Sequence, residues 1–212
     1  MKELNSASSL RLKMKARDLE LNLTLDEKAN CAGKITIPGK GSVKLIKRGG
    51  TVWMKPSAAF WRHEIGGAAG ESAADRFKGR YIKGSSDEAL LGGNGLATAC
   101  DLDAFRASAG ADTERGPGRW KRGGPTEIKG HDAVAVTRVR DDVKVRMLVA
   151  EHGKPYPLKL EREAGPEHDQ IRLGRYDRPV PDKAPPREKT VDVSELREQL
   201  GEQEQEGPSE EV

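Results

Sequence analysis

From residue 10 to about residue 175 the chain is a train of short segments in which apolar and polar residues alternate, beginning with Leu10-Arg-Leu-Lys-Met-Lys15 and Leu19-Glu-Leu-Asn-Leu-Thr-Leu25. Alternation at period two puts one set of side chains on each face of a sheet, so each segment predicts a half-buried antiparallel strand. Leu19, Leu21, Leu23 and Leu25 define the apolar face, and Glu20, Asn22 and Thr24 belong to the solvated one. Ala32–Ile37, Ser42–Lys47 and Thr51–Lys55 continue the pattern. Pro38-Gly39 and Gly49-Gly50 punctuate it, and connections this short force antiparallel neighbours.

The train breaks between about residues 57 and 109. Ser57 is a candidate N-cap for a helix through Ala58–Ile65, ended by Gly66-Gly67. A second helix is predicted over Glu71–Lys78 and a third over Leu96–Ala107, with an extended Arg80-Tyr-Ile-Lys83 between them. Strands resume near Trp120 and run through Thr126–Lys129, Ala133–Val139, Val143–Val149, Pro157–Glu161 and Gln170–Gly174. The insert is short and Gly-rich for so large a sheet. An apolar face with insufficient cover predicts spare apolar volume.

These elements divide the chain into an N-terminal linker over 1–8, a β-rich domain over 9–176 and a tail over 177–212. The tail opens with three prolines in residues 180 to 189 and ends acidic enough to be disordered, with a brief docking helix near Val191–Arg197. From Asp182 onward ten acidic residues stand against four basic ones, so the net +3 conceals a tail of about −6 and a folded part of about +9. A mildly basic domain can meet an anionic surface, but charge alone does not choose among surfaces.

No run of apolar residues approaches the length of a membrane span or a signal-peptide core. Because Met1–Ser9 leads straight into a strand, the sequence reads as a mature domain whose export signal is not in this chain. Cys31 and Cys100 are either bridged or two separate buried thiols, and export favours the bridge.

Candidate chemistry is sparse. His63, His131, His152 and His168 are scattered and read as solvated turn residues, and no HExxH, GxSxG or SxxK motif occurs. No Cys/His cluster supports a metal site, and no cofactor motif is present, since Gly92-Gly-Asn-Gly95 lacks the spacing of a phosphate loop. Arg115–Gly124 is basic with a single aromatic, which argues against nucleic acid. Trp53, Phe60 and Trp61 form the densest aromatic group. They either pack the insert onto the sheet or line the mouth of an apolar cavity together with Ile65, Leu90 and Leu91.

The order of elements resembles the LolA-like and LppX/LprG-like periplasmic lipoproteins, actinobacterial members above all. The resemblance rests on the long meander, the Gly-Gly turn before Thr51-Val-Trp-Met-Lys55, the Trp-containing insert, Arg80-Tyr-Ile-Lys83, and Glu127-Ile-Lys-Gly130 ahead of a long hairpin. It implies an α+β fold in which a large antiparallel sheet curves into an unclosed half-barrel, covered on its concave face by short α-helices around a cavity for acyl chains. It further implies a non-enzymatic lipid or lipoprotein carrier in the cell envelope, held at the membrane by an N-terminal lipid anchor belonging to a longer precursor. The alternative is a membrane-anchored lipoprotein acting through a protein partner, without lipid cargo.

Overall fold

The computed structural model describes residues 2–87, 99–114, 119–140, 142–181 and 183–205, with backbone alone at 111–114 and 200–205. Among them five helices and twelve strands follow the order α1 (Lys2–Asn5), β1 (Ser9–Lys15), β2 (Glu20–Asp26), β3 (Cys31–Ile37), β4 (Gly41–Arg48), β5 (Thr51–Pro56), α2 (Ala58–Ile65), α3 (Gly67–Arg76), β6 (Tyr81–Ser85), α4 (Leu102–Glu114), β7 (Lys121–Ile128), β8 (His131–Arg140), β9 (Val143–Ala150), β10 (Pro157–Ala164), β11 (Glu167–Gly174), β12 (Thr190–Asp192) and α5 (Val193–Gln205). All twelve strands join one open sheet in the order β12-β6-β5-β4-β3-β2-β1-β11-β10-β9-β8-β7. Every pairing is antiparallel except β12 with β6. This is the α+β unclosed half-barrel that the alternation and the resemblance lead one to expect.

Register explains the core. One straight cross-strand row reads Leu173, Leu12, Leu23, Gly33, Leu45, Met54, Ile82 and Val191 from β11 to β12. Apart from Gly33, every member is buried. Trp61 of α2, Ala73 and Ala74 of α3, Leu102 and Ala109 of α4, and Val193 and Leu196 of α5 cover this row in a single cluster. Gly33 is imposed by backbone crowding: a Cβ there would lie 2.0 Å from the Asn22 carbonyl oxygen.

The adjoining row, Gly174, Arg11, Thr24, Ala32, Ile46, Trp53, Lys83 and Asp192, faces the other way. Its polar ends are free to pair, as Lys83 does with Asp192 at 3.3 Å. Its centre is partly covered by the chain between β11 and β12. Val180 in that segment is buried, and Pro181 borders a hollow with Thr24, Ala32 and Lys34.

Local signals fix the ends of the insert. Ser57 caps α2, its Oγ accepting from the Phe60 amide at 3.2 Å and from the Ser42 amide at 3.0 Å, so one hydroxyl both starts the helix and ties it to β4. Gly41 allows the close approach, since a Cβ there would meet the Phe60 nitrogen at 2.5 Å. Lys129 and Gly130, at φ of 52° and 76°, form the two-residue turn between β7 and β8, the left-handed geometry that tight hairpins require. The free edge β7 carries Gly123, Gly124 and Pro125 at a register shift, which discourages further strand addition.

Candidate functional site

The apolar cleft lies beneath α4. Phe105 and Ala109 of α4 close it from above, and Met14 of β1, Val145 of β9, Leu160 of β10 and Ile171 of β11 form the wall below. Its volume is about 250 Å³, and Arg162 and Asp169, paired at 3.5 Å, stand at the same opening. Met14, Ile171, Leu160 and Met147 succeed one another across four strands in register, so the wall continues beyond β1 the neighbouring inward row of Leu21, Ile35 and Val43. Here the helical cover thins. The α4 helix spans the border between the leucine-rich strands and the second half of the sheet.

Two devices hold α4 in place. The Cys31–Cys100 disulfide, with Cα atoms 5.4 Å apart, ties the chain two residues before the helix to β3. Asp101 Oδ1 then accepts from the Ala104 amide at 2.8 Å and caps the first turn. Arg106, whose side chain is only 11% exposed, donates to the carbonyl oxygens of Leu4, at 3.2 Å, and Ala7. It also contacts Asp103 at 2.8 Å and Glu27 at 3.5 Å. The guanidinium thus locks α4 to the N-terminal segment, which buries Leu4 and Ala7 in return. Sequence reasoning missed this latch, because nothing in the sequence distinguishes Arg106 from any other arginine on a helix.

Of the six predicted mouth residues, the four described ones, Trp53, Phe60, Trp61 and Ile65, do not line the cleft beneath α4. Trp61 is buried against Phe77, ring centroids 5.8 Å apart, and packs the insert onto the sheet. Phe60 is half-buried against the same core. Trp53 is buried but alternates with the core-facing Val52 and Met54, so it belongs to the outer row with Ile46 and Lys83. Ile65, at the end of α2, is 36% exposed. Leu90 and Leu91 lie outside the described residues.

Polar chemistry near the cleft is structural. Burial disfavours the charged form of the Glu161 carboxylate, but hydrogen bonds from Lys159 and Arg146 outweigh it and hold the group below the usual carboxylate range. His63, His152 and His168 are surface residues beside Glu64, Asp132 and Glu163. No cluster of three or more metal-ligating side chains occurs among the described residues, and no described helix is long and apolar enough to cross a membrane.

No family model matches the chain, and no curated protein matches it in sequence. Its fold is that of two mycobacterial proteins. LprF from Mycobacterium bovis aligns with a TM-score of 0.59 at 12% identity, over 87% of this chain and 92% of that one. Lipoprotein LppX from Mycobacterium tuberculosis aligns with a TM-score of 0.50 at 10% identity, over 86% of this chain and 93% of that one.

Proposed function

We propose that this protein is a non-enzymatic binding protein for lipid or for the acyl chain of a lipoprotein, received in the cleft between α4 and the concave face of the sheet. The observation that carries the reading is the apolar wall of Met14, Val145, Leu160 and Ile171 lying under a helix held by the disulfide before it and by Arg106. Hydrocarbon enters such a site without specific polar contacts, at roughly 0.8 kcal/mol per buried methylene. A sixteen-carbon chain gains on the order of 10 kcal/mol before ordering costs. At about 250 Å³ the cleft is just under the roughly 300–1,000 Å³ usual for small-molecule sites. Uptake of a whole chain therefore requires α4 to lift.

The likeness in fold to a mycobacterial lipoprotein supports the same reading. We place the protein outside the cytoplasm, as a membrane-anchored lipoprotein; the Cys31–Cys100 bridge supports an oxidising compartment. The test is native mass spectrometry of protein purified without detergent, followed by titration with palmitate. The expected result is one acyl-lipid mass per chain and saturable uptake, both lost in Ala109→Trp, which fills the cleft from its roof. An unliganded protein that also refuses palmitate overturns the proposal.

A further inference from the structure

On the face of the sheet opposite the cleft lies a second cavity, of about 380 Å³. Arg11 and Lys13 of β1 and Arg172 of β11 reach it from the strands, because they alternate with the core-facing Leu12, Ile171 and Leu173. The β7–β8 turn brings Lys129 and His131 to the same cavity, and the chain leaving β11 adds Arg175. Ile128, Leu158 and Tyr176 make its apolar part. Five cationic side chains therefore surround one hollow, and no carboxylate of the described residues lines it.

Three features separate this cavity from an ordinary basic surface. First, the neighbouring cations Lys159 and Arg146 are neutralised by Glu161, at 2.5 Å and 3.2 Å, whereas none of the five pairs with a carboxylate of the described residues. Second, the Nε of Arg172 is buried with no hydrogen-bond partner among the described residues, a donor left unmatched in a place water does not reach. Third, Lys129 and Arg175 sit at φ of 52° and 51°, backbone positions where glycine or asparagine is the usual occupant. Their mutual repulsion is felt: Arg11 above all, then burial and the charges of Lys129 and Arg172, lower the pKa of Lys13.

We infer that this cavity is a binding site for a phosphate group, borne either on a lipid headgroup or on a free phosphate. Arginine forks and lysines converging on a partly dry hollow match the geometry and charge of a phosphate. The apolar part would meet the glycerol and first methylenes of a headgroup. The site is independent of the acyl-chain reading, because it lies on the other face of the sheet.

The experiment is calorimetric titration of the full chain at low salt with three probes: dihexanoyl phosphatidylglycerol below its micelle concentration, dihexanoyl phosphatidylcholine, and inorganic phosphate. Saturable binding of the anionic lipid over the zwitterionic one supports a headgroup source, and binding of inorganic phosphate with equal affinity supports a free phosphate. In either case Lys13→Gln and Lys129→Asn should each weaken binding by about tenfold, as for loss of one charge-assisted hydrogen bond. Lys129→Asn removes the charge while suiting the left-handed turn, so it should fold at least as well as the parent. Ala109→Trp should leave this binding unchanged while abolishing acyl uptake, which separates the two sites. No binding of any probe, or binding that neither variant changes, overturns the inference.

Discussion

Glu20–Asp26 and Val143–Ala150 carry the same alternation of apolar and polar residues, yet they meet different fates. In β2, Leu21, Leu23 and Leu25 are all buried, Leu23 and Leu25 completely. In β9 only Val145 on the concave face is buried, while Val143, Met147 and Val149 remain half-exposed. The strands are equally regular, so the difference lies in what covers them. The helices α2, α3 and α5 gather over β4, β5, β6 and β12, and α4 bridges toward β9–β11 with the cleft beneath it. Alternation reports which face of a strand turns inward; it does not report whether that face is sealed by the protein or left for a ligand.

Core truncation should break the symmetry of the two halves most sharply. Leu23→Ala removes side-chain volume from a fully buried position and should destabilise by about 4 kcal/mol, a fall in Tm of about 2–4 °C per kcal/mol in a chain of this size. Val139→Ala, at a residue 64% exposed on the bare half, should stay within about 0.5 kcal/mol of the parent. Thermal unfolding of both variants checks this, and equal losses would mean that the second half is sealed by something other than the cover seen here.

Next in size is the bridge that ties the two regions through α4. Cys100→Ser with Cys31→Ser should cost about 3 kcal/mol, the middle of the usual range for one disulfide. Its effect should also be local. Hydrogen exchange in α4 should rise well before exchange in β2 or β3, because the leucine row does not depend on the bridge.

Much of this division was readable in the sequence and part of it could not be. The five strands from Leu10 to Lys55 appear within a residue or two of where the alternation places them, and Ser57 starts a helix. The facing of Trp53 was not legible, because Val52, Trp53 and Met54 are all apolar and alternation cannot choose between them. Pairing of Leu45 with Met54 makes the choice, and it is a long-range fact. The β12 strand was hidden for the same reason: three residues after a proline-rich stretch become a strand only because β6 offers an edge. The cleft followed suit, with its location under the insert expected from the shortage of cover and its lining supplied by β1, β9, β10 and β11, which no local pattern groups together.

The Arg106 latch offers a smaller and more selective test. Arg106→Ala leaves the Leu4 and Ala7 carbonyls without their donor and should cost about 2 kcal/mol. If α4 is the moving cover, the same variant should raise the rate of palmitate uptake while Leu23→Ala does not. Stopped-flow fluorescence with a labelled fatty acid separates the outcomes, and an unchanged rate would assign opening to another element.

The smallest effect concerns the seam where the two halves meet at β1 and β11. Asp177, just beyond β11, accepts from the Ser8 amide at 2.9 Å, the Ser8 hydroxyl at 3.1 Å and the Tyr156 hydroxyl at 2.6 Å, with Lys154 at 3.7 Å. The Tyr156 hydrogen bond first, and the Ser8 amide after it, lower the Asp177 pKa below its ordinary value. A carboxylate whose pKa is depressed on folding contributes stability that is fully present above its unfolded pKa and is lost as pH falls through the folded value. The seam should therefore weaken only in acid, below the usual carboxylate range. Because Asp177 is exposed, the contribution should be about 0.5 kcal/mol, as for other solvated pairs. Asp177→Asn should flatten that part of the stability profile by losing that small contribution at neutral pH, with the acid end unchanged. Urea unfolding along a pH series would show it, and an acid limb as steep in Asp177→Asn as in the parent would move the titrating group elsewhere, with Glu161 next because its pKa is lowered too.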